Sequence, residues 1–234
     1  MKNSIHKSSL LISSKKGVYS RRYDDIYFDK TDGIKEKEHV YLNANDLANR
    51  IRLSSKLCIA ELGFGTGLNF ILTWRLWKKN RKPNSSLTYI SFEKAPLSKK
   101  EMIRIYKKFN ELNDFSNQLI QKLTDNYKTN RTIYFKSENI NLILIYDDFS
   151  SLTNFDFKAD VWFLDGFAPS KNPEAWDHTY YKHIYNRTNL RGSLSSFTSS
   201  GSVRRGLALA GFSVTKVSGF GKKREMLKAI KTEP

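Results

Sequence analysis

The chain has 234 residues, 39% of them hydrophobic, with 12 Gly and 5 Pro, enough apolar material for one sizeable core and by default one domain. Its single cysteine, Cys58, excludes an intrachain disulfide or a cysteine-rich metal site, and no window approaches the roughly 18 apolar residues of a membrane span. The net charge of +17 points to a polyanionic partner or to a solubilising surface, and alone it does not choose between them.

In chain order, the first 23 residues carry six Lys or Arg, six Ser and no acid. This is a basic, partly flexible leader that would suit an arm near RNA, although an organellar transit peptide has the same composition. Residues 1–50 are expected to form this leader and an N-terminal extension packed on the core, with the main domain spanning 51–234. From residue 57 onward short apolar runs alternate with helical patterns, the signature of a sheet layered by helices. Leu57 to Glu61 reads as a strand and Leu68 to Lys79 as a helix with a basic C-terminal end. Leu87 to Phe92 is the second strand, and Ser98 is placed to cap a helix from about Lys99 to Phe109. A helix over Phe115 to Leu123 follows.

Further strands are predicted at Thr132 to Phe135, Leu142 to Tyr146, Val161 to Leu164, Leu194 to Phe197, Ser213 to Val217 and Glu225 to Ile230. Helices over His178 to Arg187 and Ser202 to Ala210 intervene. Ser218 to Arg224 is too short for a crossover helix, so the last two strands should pair antiparallel. The predicted fold is α/β and Rossmann-like: a mostly parallel, seven-stranded sheet ending in an antiparallel hairpin, with a small N-terminal extension. His6, His39, His178 and His183 are scattered without helical pairing or Cys partners, so no metal site is expected.

The sharpest local signal is Glu61-Leu62-Gly63-Phe64-Gly65-Thr66-Gly67, at a strand end and a helix start. Close glycines allow a tight turn and near approach of backbone to ligand, and the helix start offers free amides. Leu68 stands where the nicotinamide fingerprint needs glycine, and the Gly-Lys-Ser/Thr of a Walker loop is absent. The remaining pattern, acid-x-Gly-x-Gly-x-Gly, suits S-adenosylmethionine, whose ammonium Glu61 can meet directly or through water. Glu93 ends the second strand, where a carboxylate can accept both ribose hydroxyls. Asp147 and Asp148 end another, where one of them can accept from the adenine amine. Asp165 ends Val161 to Leu164, beside the expected methyl group, and can stabilise the cation that develops on an attacking amine. The same carboxylate raises that amine's pKa and holds it protonated, so a proton must leave before attack. Phe167, Pro169 and Pro173 are candidates to wall a base-sized slot.

The blocks ELGFGTGLNF (Glu61 to Phe70), SFEKAPL (Ser91 to Leu97), WFLDGFAPSKNP (Trp162 to Pro173), FTSSGSVRRGL (Phe197 to Leu207) and GFGKKREML (Gly219 to Leu227) closely resemble the methyltransferase-domain family of bacterial MnmC tRNA-modifying enzymes. Tyr23 to Phe28 is similar to that domain's entry segment, and the resemblance runs in order from about residue 17 to the C-terminus. It implies S-adenosylmethionine-dependent methylation of the amine of 5-aminomethyl-2-thiouridine at the tRNA wobble position. It also implies that Gly63, Gly65, Gly67, Glu93, Asp148 and Asp165 surround the cofactor, and Phe64 is counted with them. Ala95, Asp147 and Ser170 depart from the family pattern, and the Asp147 change leaves open which acid contacts adenine. Larger bifunctional relatives carry a flavin-dependent oxidase domain after this one; with nothing after Pro234, the stand-alone MnmD-like form is expected, which could not trim a carboxymethylaminomethyl precursor.

For the tRNA anticodon loop, the candidates are Phe167, Lys171, Arg204, Arg205, Lys222, Lys223 and Arg224, with Trp176 as a second stacking candidate beside Phe167. A cytoplasmic setting fits, with a monomer favoured and no membrane partner. The alternative on the same fold is a small-molecule amine methyl- or aminopropyltransferase.

Overall fold

The computed structural model describes residues 10–13, 17–28 and 32–233; most of the predicted basic leader lies outside the described residues. Strands β1 (Leu10–Ser13), β2 (Gly17–Ser20) and β3 (Asp25–Phe28) form an antiparallel three-stranded sheet. Helix α1 (Gly33–Lys37) runs into a π-helical stretch, Glu38–Asn43, and is followed by α2 (Leu47–Leu53). Val18, Phe28, Val40, Tyr41, Leu47 and Ile51 are buried in the same apolar cluster as the central strands.

The central layer then alternates: β4 (Lys56–Leu62), α3 (Leu68–Asn80), β5 (Ser86–Phe92), α4 (Lys99–Tyr106), α5 (Asn113–Lys122), β6 (Arg131–Phe135), β7 (Ile140–Ile145) and β8 (Ala159–Leu164). Helix α6 (His178–Asn186), β9 (Thr188–Ser196), α7 (Gly201–Ala210), β10 (Ser213–Ser218) and β11 (Glu225–Ile230) complete it. The strand order is β10-β11-β9-β8-β4-β5-β7-β6, with parallel pairing through β9-β8-β4-β5-β7. The terminal β10-β11 hairpin is antiparallel, as its short connection requires.

The sheet has eight strands where seven were expected. All eight strands read from residue 57 onward join it, and the edge strand beyond a seven-stranded sheet is β6, expected at Thr132 to Phe135, which reaches β7 through the 3₁₀ turn Lys136–Glu138 and pairs antiparallel, Phe135 opposite Ile140. So brief a turn cannot carry a crossover, the same constraint that sets the final hairpin. Helix α4 also stops at Tyr106, short of the expected Phe109, although Ser98 caps it as anticipated, in a full capping box with Glu101.

Alternation along the central strands divides the core. Ile59, Tyr89, Val161 and Phe163 face one cluster, roofed by α3 with Phe70, Trp74 and Trp77. Ala60, Leu62, Ile90, Phe92, Trp162 and Leu164 face the other, beneath α6 and α7. Because side chains alternate with period two, Glu61, Ser91 and Asp165 share the face that α3 covers, and Glu61 and Ser91 are register partners. Among the described residues no helix is long and apolar enough to cross a membrane.

Candidate active site

The glycine turn between β4 and α3 is fastened to the neighbouring strand. Gly63 N–H and Phe64 N–H both donate to Phe92 O, at 2.9 and 3.3 Å. Gly63 has φ +91°, and a Cβ there would lie 3.4 Å from the Gly166 backbone; Gly65 has φ +52°, and a Cβ there would lie 3.2 Å from the Tyr27 ring. Side chains at these positions would meet both left-handed strain and a neighbouring wall. Gly65 N–H donates to Glu93 Oε2 and Ala95 N–H to Oε1, each at 2.7 Å, which locks the Glu93 carboxylate beside the turn. Burial pushes Glu93 up from the ordinary carboxylate pKa, against those two hydrogen bonds.

Beneath the turn runs a chain of polar contacts on the α3 face of the sheet. Glu61 is fully buried; its Oε1 accepts from Asn69 Nδ2 at 2.8 Å and its Oε2 from Ser91 Oγ at 2.7 Å. Burial raises its pKa to about 8, opposed by the Ser91 and Asn69 hydrogen bonds. Asn69 Nδ2 also donates to Asp165 Oδ2 at 2.8 Å, and Gly166 N–H donates to Asp165 Oδ1 at 2.8 Å. From α1, the Lys37 ammonium reaches the same Asp165 Oδ2, both side chains only about one-tenth exposed, at 12% and 11%. Lys37 Nζ also lies 5.2 Å from the centre of the Tyr41 ring. Asn69 Oδ1, in contrast, is buried without a hydrogen-bond partner. The carboxyl groups of Glu61 and Asp165 take the Asn69 amide protons, which fixes that orientation.

These groups border a cavity, open to solvent at its mouth, at the carboxyl edge of the parallel strands. Gly63, Phe64, Gly65, Asn69, Glu93, Asp148, Asp165 and Phe167 line it. Asp148 Oδ2 pairs with Lys94 at 2.8 Å, and Oδ1 accepts from Ser150 N–H at 3.0 Å. Burial works to raise the Asp148 pKa, but Lys94 and Ser150 outweigh it and hold the carboxyl below its usual value. Over the cavity, Phe167 stacks on Tyr23 at 4.4 Å and meets Tyr27 edge-on at 5.1 Å. Asp25 Oδ2 accepts from Ala168 N–H at 2.9 Å, and Asp24 pairs with Lys171 at 2.6 Å, so the N-terminal sheet grips the loop after β8.

Not every residue singled out from the sequence reaches the cavity. Glu61 lies behind it and supports Asn69; Gly67 starts α3 at φ +75°. Of the two adjacent acids, Asp148 lines the cavity while Asp147 turns back to accept from Asp148 N–H at 2.7 Å. Trp176 is buried, its indole donating to Phe167 O at 2.9 Å, so it braces the loop and offers no open ring face. Lys171, Arg204, Arg205, Lys222 and Arg224 are exposed outside the cavity. Lys223 spans from the hairpin to Glu36 of α1 at 3.1 Å, passing 4.9 Å from the Phe197 ring centre. Lys37, Asn69, Tyr23 and Tyr27 enter the site without having been singled out. For Asn69 a signal existed, an amide among Leu68, Phe70 and Ile71 in an otherwise apolar first turn. Lys37 sits in the charged run Ile34 to His39 and carries none.

A glycine turn, strand-end carboxylates and a cavity at the carboxyl edge of an open parallel sheet define a Rossmann-like enzyme for a nucleoside-bearing ligand. The chain belongs to the family of S-adenosyl-L-methionine-dependent methyltransferases, whose family model matches residues 110–232. S-adenosylmethionine is therefore its methyl donor. Among curated relatives, the tRNA 5-methylaminomethyl-2-thiouridine biosynthesis bifunctional protein MnmC of Marinomonas sp. is 41% identical over 214 residues, 89% of this chain and 31% of that protein. The protein of the same name from Leptospira borgpetersenii is 42% identical over 212 residues, 89% of this chain and 32% of its own length. The chain thus spans about a third of the length of these relatives. The crystal structure of MNMC2 from Aquifex aeolicus matches with a TM-score of 0.76 at 25% identity, covering 98% of this chain and 72% of that one. Spermidine synthase from Thermotoga maritima shares the fold, with a TM-score of 0.55 at 11% identity over 99% of this chain and 71% of that one.

Proposed function

We propose that this chain methylates the primary amine of 5-aminomethyl-2-thiouridine at the wobble position of tRNA. The observation that carries this reading is the Lys37 ammonium resting on Asp165 at the inner end of the cavity. That carboxylate, already paired with an alkyl ammonium, can also accept an N–H from a primary amine that approaches beside Lys37. S-adenosylmethionine supplies an electrophilic methyl carbon on a sulfonium. The residues present suit it: Glu93 faces the place for ribose hydroxyls, Asp148 the adenine edge, and the unpartnered Asn69 Oδ1 can accept from its ammonium. The Asp165 carboxylate then stabilises positive charge as it develops on the acceptor nitrogen.

The names of the MnmC relatives, which describe tRNA 5-methylaminomethyl-2-thiouridine biosynthesis, support the acceptor. So does the net charge of +17, since phosphate contacts reward such a surface through counterion release. In this reading a splayed wobble base enters beside Tyr23 and Phe167, while Arg22, Lys171, Lys223 and the other hairpin and α7 cations hold the anticodon backbone. The N-terminal extension covers the cofactor, and the setting is the cytoplasm. Mass spectrometry of nucleosides, after incubating aminomethyl-bearing tRNA with enzyme and isotope-labelled S-adenosylmethionine, tests it. One labelled methyl on 5-aminomethyl-2-thiouridine is expected. Transfer to free polyamines with none to tRNA would instead establish a small-molecule amine transferase.

A further inference from the structure

The Asp165 carboxylate presents a chemical conflict. It stabilises the cation formed on the acceptor, yet it equally stabilises the protonated, unreactive amine. Orientation of Asp165 does not require Lys37, because two neutral donors, Asn69 Nδ2 and Gly166 N–H at 2.8 Å each, already hold its two oxygens. What Lys37 adds is charge, delivered by a side chain held about nine-tenths out of solvent.

Resting on the proposed acceptor, we propose that Lys37 keeps the bound amine neutral by cancelling the Asp165 charge, so that the acceptor sheds its proton on entering the site. The step is a proton loss alone: the N–H bond breaks, its electron pair stays on nitrogen, and the proton passes to water. The surrounding groups are consistent with this balance. Glu61 on β4, with its pKa near 8, is largely uncharged at neutral pH. Glu36, beside Lys37 on α1, is paired with Lys223 from the final hairpin at 3.1 Å. Tyr41 from the π-helical stretch and Tyr89 from β5 are held neutral by burial. Glu93 is the next carboxylate along the wall, fastened to the glycine turn. With Lys37 present the inner end of the cavity is close to neutral; without it, an unbalanced carboxylate would retain an ammonium.

The test compares wild type with Lys37→Met and Lys37→Arg. In Lys37→Met the acid limb of the kcat profile should move to higher pH by about one to two units, while Lys37→Arg keeps the wild-type limb even if its rate falls. A second readout does not need turnover. Calorimetry of aminomethyl-bearing tRNA binding, in the presence of S-adenosylhomocysteine and in buffers of different ionisation enthalpy, counts the protons released. Near neutral pH, wild type and Lys37→Arg should release close to one proton per amine bound, and Lys37→Met clearly less. An unmoved acid limb in Lys37→Met, or proton release equal to wild type, overturns the inference. Failure of the wild-type protein to methylate this tRNA at all would remove the proposed function itself, a separate outcome.

Discussion

Replacing Glu61 by Gln isolates the buried carboxyl under the glycine turn. Gln keeps an oxygen to accept from Asn69 Nδ2 and an amide that can donate to Ser91 Oγ, so the contacts of the parent side chain survive. An ordinary Glu titrates near 4.5, whereas burial raises this one to about 8. Between those values the folded protein holds a proton that the unfolded chain has lost, so stability falls as pH rises through the window. A gap of about 3.5 pH units at about 1.4 kcal/mol each bounds the total loss at about 5 kcal/mol. About 3 kcal/mol of it falls between roughly pH 5 and pH 8, because the unfolded chain has already begun to ionise at the lower end. Urea unfolding of both proteins across that range reads the effect directly. The Glu61→Gln curve should gain about 3 kcal/mol relative to wild type from the acid end to the alkaline end. Parallel curves, separated by a constant, would show that Glu61 ionises normally and that its burial carries no such cost.

Asp165→Asn should lower kcat for methyl transfer by about 10²- to 10³-fold, while calorimetric affinity for S-adenosylmethionine stays within a few-fold, because the variant leaves the Lys37 ammonium unbalanced beside a nitrogen that becomes cationic. Gly63→Ala places a Cβ at φ +91° and 3.4 Å from the Gly166 backbone. It should cost about 1–2 kcal/mol in thermal unfolding and weaken donor binding about tenfold or more; a variant with wild-type affinity would remove the turn from the site. Joint replacement of Lys222, Lys223 and Arg224 by Ala should weaken tRNA binding and flatten its log–log salt dependence by about 2, measured by filter binding at several salt concentrations. An unchanged slope would place the RNA elsewhere.

The features that were legible in the sequence are those set by local chain geometry. Spacing between apolar runs gave the alternation of strands and helices, and the length of the last connection gave the antiparallel hairpin. Glycines at a strand-to-helix junction marked the turn. The acids ending successive strands were readable as a row because parallel strands bring their carboxyl ends to one edge. What escaped depends on contacts between distant segments. The strands β1 to β3 are four residues each, too short to show a period, and are held by pairing and by the loop after β8. Lys37 looks like any solvated lysine in a charged run and becomes a site residue only when α1 docks over Asp165. Glu61, read as meeting the donor's ammonium directly or through water, faces Ser91 across the ladder beneath α3, while Asn69 lines the cavity.

In the proposed reaction the methyl donor lies along the glycine turn, with its reacting carbon beside Asp165. A crystal structure of the protein with S-adenosylhomocysteine tests it most directly. Ribose hydroxyls on Glu93, the adenine edge toward Asp148, and the ammonium donating to Asn69 Oδ1 are expected. A ligand bound away from this cavity, or reversed so that adenine approaches Asp165, would contradict it.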